Sequence, residues 1–184
     1  MSAGALVASV RDLKVSFTTK AGTVEALRGV DLDIARGEVV ALVGESGSGK
    51  SVLASCLLGL PHPNAQVSGT VTVEGVDMLR GPEAQRRAAR RHVLGAVFQD
   101  PLGALNPTMR VGKLLGERGL TPTRAKQVLA DVAVSDVDRR LSQWPHELSG
   151  GLRQRVAIGF ALGADGRLDT SAAEAAADEI GRAH

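Results

Sequence analysis

Positions 44–51 of the chain read Gly44-Glu45-Ser46-Gly47-Ser48-Gly49-Lys50-Ser51. This stretch matches the phosphate-binding loop pattern, in which four residues separate a glycine from Gly-Lys-Ser or Gly-Lys-Thr. The glycines let backbone N–H groups converge on phosphate oxygens, and the helix that follows adds the positive end of its dipole. Lys50 supplies a positive charge, and the Ser51 hydroxyl is a suitable ligand for Mg²⁺. The motif therefore predicts a nucleoside triphosphate as the ligand.

The residues on either side of this loop favour the same interpretation. Val39–Val43 is a short unbroken apolar run, typical of a buried parallel strand, and Val52–Leu58 has the pattern of a helix. The order strand, loop, helix is the one that phosphate binding requires. The alternative, an ordinary glycine-rich turn, explains the glycines but not these flanking elements.

Composition excludes several classes of protein. The 184 residues are 43% hydrophobic and 23% charged, which is ordinary for a globular domain with room for a subdomain. Only 2% are aromatic and the net charge is +2, so we expect no nucleic acid partner. Cys56 is the only cysteine and is interpreted as a core residue. No run approaches the ~18 apolar residues of a membrane span, so we expect a cytoplasmic chain.

Apolar alternation before the loop predicts antiparallel strands over Leu6–Phe17 and Val24–Ile34. After the first helix, Val67–Gly75 predicts a further strand pair or hairpin edge. Residues 82–92 have a helical pattern with four arginines, which we interpret as a solvated basic face, with nucleic acid binding as the weaker alternative.

The following segment predicts a strand and then helices. Val93–Phe98 is the strand, and Gln99 follows at its carboxyl end, where open parallel sheets bind ligands. Gln99 is therefore a candidate site residue. From Val111 to Leu141 the pattern is helical, with Thr121 and Pro122 placed as an N-cap and first helical residue.

A second glycine pair, in Leu148-Ser149-Gly150-Gly151, opens a helical run over Leu152–Leu162. Alone it is compatible with an ordinary loop, but at a helix N-terminus it forms a second anion-binding site. With the upstream loop and Gln99-Asp100-Pro101 between them, the chain resembles the ATP-binding subunits of ABC transporters, whose signature motif is LSGG and whose Q-loop carries the glutamine. The surrounding residues are similar to the dipeptide, oligopeptide and nickel importer branch, over roughly residues 6–163.

The resemblance implies an α/β fold of the P-loop NTPase, ABC ATPase type. Its parts are a parallel core sheet, an antiparallel β subdomain and a helical subdomain at about 102–162, within a nucleotide-binding domain over 1–163. It also implies a head-to-tail homodimer, or a heterodimer with a second ATPase subunit, bound to membrane-spanning permease subunits. Such a subunit lies peripherally on the inner face of the cell membrane. Its implied function is to couple ATP binding and hydrolysis to the import of peptides or a related small solute.

The same resemblance assigns roles to individual residues. Phe17 would stack on adenine, although a buried strand residue is the alternative. Lys50 and Ser51 would hold phosphate and Mg²⁺, and Gln99 would join Ser51 at the metal and sense the γ-phosphate. The residues implied to bind ATP are Phe17, Gly44, Glu45, Ser46, Gly47, Ser48, Gly49, Lys50, Ser51, Val52, Ser149, Gly150 and Gly151. The last three would contact the partner's nucleotide.

The chain departs from the family after Leu162. Spacing places Ala172 and Ala173 where the family has the Asp-Glu pair of its Walker B strand, and alanine neither binds metal nor accepts a proton. Asp178 and Glu179 are the only substitute pair, and His184 does not fit as the switch histidine. We interpret 164–184 as a divergent Ala-rich tail, from truncation, a frameshift or a genuine variant, and expect an incomplete core sheet.

Two functions remain open. The first is the energy-coupling ATPase subunit of an importer, supported by Lys50, Gln99 and Ser149. The second is a nucleotide-binding fragment or degenerate remnant without catalysis, supported by Ala172 and Ala173. A small-molecule kinase or GTPase that shares only the phosphate loop is disfavoured by the LSGG segment.

Overall fold

The computed structural model describes residues 5–20, 22–97 and 105–162. Within them the chain forms two compact units, divided between residues 89 and 90. None of the helices in these described ranges combines the length and apolar character needed to cross a bilayer.

The first unit is built on a four-stranded antiparallel sheet in the order β2-β1-β3-β4. The strands are β1 (Leu6–Thr19), β2 (Gly22–Ala35), β3 (Ala65–Val73) and β4 (Val76–Asp77). This confirms the antiparallel strands predicted from apolar alternation. The side chains at most 1% exposed on β1 and β3 are Val10, Leu13, Val15, Val71 and Val73.

An irregularity in β1 fixes its register. Asp12 has a φ of 42° and interrupts the pairing of β1 with β2, and its backbone N–H donates to Asp31 Oδ1 at 2.8 Å. On the other side of β1, a Cβ on Gly69 would lie 2.5 Å from the Asp12 carbonyl oxygen. The bulge therefore requires a glycine in the adjacent strand, because no other residue permits this approach.

Helix α1 (Lys50–Leu57) packs against β2 and β3. It begins two residues before the predicted helix, and its buried side chains are Leu53 and Cys56. Burial raises the pKa of the Cys56 thiol, because the thiolate would be desolvated. The basic segment forms helix α2 (Glu83–His92), as predicted.

The prediction of parallel strands over Val39–Val43 and Val93–Phe98 is wrong for the residues that the structure describes. Residues 39–45 adopt no regular structure, and Val43 is 83% exposed; residues 94–97 are also irregular, and Phe98 lies outside the described ranges. A parallel strand needs a hydrogen-bonded neighbour and cover on both faces. The described residues provide no parallel partner for either run.

The second unit is helical. Its elements are α3 (Val111–Glu117), α4 (Pro122–Asp131), α5 (Val137–Ser142), a 3₁₀ turn (Pro145–Glu147) and α6 (Gly150–Leu162). The predicted cap of α4 is confirmed, since the Thr121 side chain accepts the backbone N–H of Arg124 at 3.3 Å and Pro122 is the first helical residue. In the second unit as a whole, the largest side chains that are less than 2% exposed are Leu105, Val111, Leu115, Val128, Leu129 and Val156.

Arg118 connects separate segments of this unit. Its guanidinium donates to the carbonyl oxygens of Arg90, Leu94 and Ala161 at 3.2, 3.3 and 3.5 Å, and lies 5.6 Å from the Phe160 ring centroid. Burial lowers its pKa, and Arg91 adds to this shift. Three carbonyl partners and an aromatic face hold the cation in place.

Candidate functional site

The phosphate loop has the backbone conformation that its glycines permit. Gly47 and Gly49 have φ values of 82° and 92°, in the left-handed region that other residues rarely adopt. The backbone N–H of Ser48 donates to the Glu45 carbonyl at 3.2 Å, closing a turn at the tip of the loop. The loop therefore wraps around a concave space on the first unit.

Gly49 also satisfies a packing requirement. A Cβ at this position would lie 2.7 Å from the Ala26 carbonyl oxygen and 2.7 Å from Leu27 Cδ2. Gly49 is consequently the point at which the base of the loop contacts β2. A larger residue at position 49 would therefore push the base of the loop away from β2.

The Lys50 ammonium lies within the curve of the loop. Its Nζ donates to the carbonyl oxygens of Gly44 and Glu45 at 2.7 Å each, and to Ser48 Oγ at 3.2 Å. These oxygens are neutral, so an anion entering the loop would offer the ammonium a stronger partner. Lys50 is thus placed to bind phosphate.

The N-terminus of α1 reinforces this positive site. Gly49 caps the helix without a side-chain hydrogen bond, and the first turn contains no acidic residue. The first intrahelical bond runs from the Leu53 N–H to the Gly49 carbonyl at 2.9 Å, so the preceding N–H groups are directed out of the helix. Ser51 is exposed in this turn. The cavity of about 300 Å³ is lined by Ala26, Ser46, Gly47, Ser48, Gly49, Lys50, Ser51 and Val52.

A second, more apolar cavity adjoins the first. It has a volume of about 240 Å³ and is lined by Val15, Phe17, Ser51, Val52, Ser55, Pro61, His62 and Ala65. Ser51 and Val52 line both cavities. Phe17 is half-buried rather than buried, as a base-stacking side chain requires. The phosphate loop and Phe17, the residue predicted to stack on adenine, therefore lie on the same side of the first unit.

The segment Ser149–Gly151 forms the N-terminus of α6 in the second unit, with all three residues exposed. Arg153 fixes the preceding turn, since its guanidinium donates to the carbonyl oxygens of Pro145 and His146 at 3.0 and 3.3 Å. A Cβ on Gly150 or Gly151 would meet nothing within 4 Å. Packing within the described chain therefore does not require these two glycines, whereas it does require Gly49.

Several predicted residues lie outside the described ranges, namely Gln99, Ala172, Ala173, Asp178, Glu179 and His184. Their roles remain predictions. Among the described residues no three His, Cys, Asp or Glu side chains cluster as a metal site would require. His62, which lines the second cavity, belongs to none of the sequence motifs, so only the structure places it beside Phe17.

Comparison with known proteins places these features in a family. The family model described as "ABC transporter" matches residues 27–168. The dipeptide transport ATP-binding protein DppD of Bacillus subtilis is 41% identical over 167 residues, which is 85% of this chain and 50% of that protein. The oligopeptide transport ATP-binding protein OppD of Salmonella typhimurium is 39% identical, over 83% of this chain and 48% of its own length. The chain thus spans about half the length of the curated relatives it matches.

Solved structures show the same fold. The dimeric structure of MJ0796, a bacterial ABC transporter cassette, has a TM-score of 0.75 and 25% identity, covering 91% of this chain and 78% of the other. A post-hydrolysis dimer of MJ0796 bound to ADP and Pi has a TM-score of 0.71 and 28% identity, covering 84% and 68%.

Proposed function

The chain belongs to the ABC transporter family, and on that premise we propose that it is the ATP-binding subunit of an importer for peptides or a related small solute. The observation that carries this proposal is the phosphate loop, in which Lys50 Nζ lies 2.7 Å from two loop carbonyls beneath an uncapped helix N-terminus. The 41% identity to a dipeptide transport ATP-binding protein supports the choice of solute. The assignment covers a domain over 1–163, with 164–184 as a divergent tail.

Most of the residues proposed to bind ATP belong to the first unit. Lys50 would exchange its carbonyl partners for oxygens of the β- and γ-phosphates, and the N–H groups at the start of α1 would donate to the same anion. Phe17 would stack on the base, and Val52 lies between the base and phosphate ends. Mg²⁺, when bound, supplies charge neutralisation of the phosphates; the exposed Ser51 hydroxyl fits it as a ligand, and Gln99 is the second proposed one.

The signature segment is proposed to act on a second subunit. Ser149, Gly150 and Gly151 are exposed at a helix N-terminus, with open space around both glycines. This arrangement suits contact with an anion held by another copy of the chain, or by a different ATPase subunit. The dimeric cassette among the structural relatives supports a pair of ATPase subunits, which we propose to be arranged head to tail. We further propose permease subunits as partners, which would hold the chain at the inner face of the membrane.

A second candidate function rests on a specific observation. Spacing along the sequence predicts Ala172 and Ala173 at the positions where the family has its metal-binding and water-polarising carboxylates. If Asp178 and Glu179 do not replace them, the chain binds ATP without hydrolysing it, because general-base assistance contributes about 10² to 10⁴-fold. Such a chain would be a non-catalytic nucleotide-binding module.

Two measurements test the proposal. Calorimetry with ATP and Mg²⁺ should show binding by the full chain that depends on Lys50, and failure to bind would overturn both functions. Steady-state phosphate release near background would select the non-catalytic function. Robust release that disappears in the double variant Asp178→Asn/Glu179→Gln would instead identify a working catalytic pair and select the ATPase function.

A further inference from the structure

His62 lies in the apolar cavity beside the phosphate loop, at a corner that it forms with Phe17. The two ring centroids are 6.0 Å apart and the ring planes are inclined by 68°. A flat group stacked on Phe17 would therefore present its edge, not its face, to His62. Edges of nucleobases carry their hydrogen-bonding atoms, whereas faces carry none.

The His62 backbone is fixed before any ligand arrives. Proline on both sides, at Pro61 and Pro63, restricts the backbone of this turn. The Ala65 N–H donates to the His62 carbonyl at 2.9 Å. Ala65 in turn pairs with Phe17 in the sheet, which keeps the turn beside the aromatic ring.

The ring itself is also oriented. Its Nδ1 accepts the backbone N–H of Asn64 at 3.2 Å. In a neutral imidazole one nitrogen accepts and the other carries the proton, so this bond assigns the proton to Nε2. No partner for Nε2 lies within the part of the chain that the structure describes. An oriented donor therefore remains available at the cavity.

The size and polarity of the cavity identify what this donor would meet. At about 240 Å³ it is smaller than the about 300–1,000 Å³ of a site for a whole ligand, and Val15, Phe17 and Val52 make it mainly apolar. Ser51 and Val52 line both this cavity and the phosphate cavity. A single heteroaromatic ring system, joined to a phosphate chain, matches this pair of cavities.

We infer that His62 is a base-contacting residue, whose Nε2–H donates to a ring nitrogen of a purine stacked on Phe17. This inference rests on the proposed nucleotide binding and adds a hydrogen bond that specifies the base to the stacking that Phe17 provides. Both purines offer N7 as an acceptor nitrogen, and adenine offers N1 as well, whereas stacking alone accepts any base.

The test separates the base from the phosphates by using ATP and inorganic tripolyphosphate as probes of the full 184-residue chain. His62→Ala should weaken ATP binding about three- to tenfold, the range for one neutral hydrogen bond, and should leave tripolyphosphate binding unchanged. His62→Gln, which restores an N–H donor, should recover most of the lost affinity. His92→Ala, in α2, is the matched control and should bind both probes normally.

Each other outcome has a definite meaning. Equal ATP affinity in wild type and His62→Ala would overturn the inference and leave the proposed function intact. Equal losses for both probes would also overturn it, because the effect would then lie in the phosphate loop or the fold. Loss without recovery in His62→Gln would overturn the donor assignment. No binding of either probe by the wild type would overturn the proposed function together with the inference.

Discussion

A Cβ on Gly49 would lie 2.7 Å from the carbonyl oxygen of Ala26, so the base of the phosphate loop contacts the backbone of β2 directly. This contact positions the first turn of α1, and with it Lys50, against the sheet. The loop thus depends on a rigid neighbour that is distant in sequence.

Gly49→Ala should therefore destabilise the first unit more than Gly47→Ala. Both positions have positive φ, which costs an L-residue about 1–2 kcal/mol. Only Gly49 adds a clash with backbone, which costs about 1–3 kcal/mol more, whereas Gly47 faces open space. Urea denaturation of both variants measures the difference, and equal midpoints would contradict the contact.

Lys50→Ala should weaken ATP binding by about 1.5–3 kcal/mol, the range for a hydrogen bond to a charged group. The reason is that Lys50 is the ammonium held within the loop by Gly44 and Glu45. Calorimetry measures the change, and Lys113→Ala, in α3, controls for removing a lysine elsewhere. A similar affinity for both variants would remove Lys50 from the site.

Gly150→Ala and Gly151→Ala should leave the fold intact or stabilise it by up to about 1 kcal/mol, because both lie in a helix with nothing within 4 Å of a new Cβ. ATP-dependent dimerisation should nevertheless weaken if these glycines contact a partner's nucleotide. Thermal unfolding and sedimentation with ATP separate the two effects. A clear drop in thermal stability would show that the glycines serve the fold.

Cys56 should make stability fall at alkaline pH. Burial raises the pKa of its thiol above that of the unfolded chain, about 8.5. Stability contributed by the neutral thiol is therefore fully present below the unfolded pKa and is lost as pH rises through the folded one. Urea midpoints between pH 7 and 10 measure this loss, and Cys56→Ala should remove that part of the slope. An identical slope in the variant would refute the assignment.

Arg118→Ala should destabilise the helical unit by about 1–3 kcal/mol, since three carbonyl oxygens would lose their donor. Arg118→Lys should be intermediate, because one ammonium does not reproduce the planar fork. Circular dichroism during thermal unfolding measures both, with the exposed Arg139→Ala as control. Unchanged melting of Arg118→Ala would contradict its connecting role.

Local signals predicted much of this structure. The N-cap at Thr121 and the alternation in β1 and β2 each act over a few residues, and each was confirmed. The runs Val39–Val43 and Val93–Phe98 predicted strands from their own composition, but a strand also needs a hydrogen-bonded neighbour. His62 could not be assigned from sequence, because its relation to Phe17 arises only when β1 pairs with β3.

The irregular segment Val39–Val43 has a consequence for handling this protein. It presents five consecutive uncharged, proline-free residues, with Val39, Val40, Leu42 and Val43 all more than a third exposed. Such a window is a template for fibril-like stacking between chains. Glu38 and Glu45 bracket it and act as gatekeepers, since their charges oppose stacking. Concentrated solutions of the protein should therefore aggregate and become turbid on storage sooner than dilute ones. The segment responsible would be Val39–Val43, which lines neither of the nucleotide cavities.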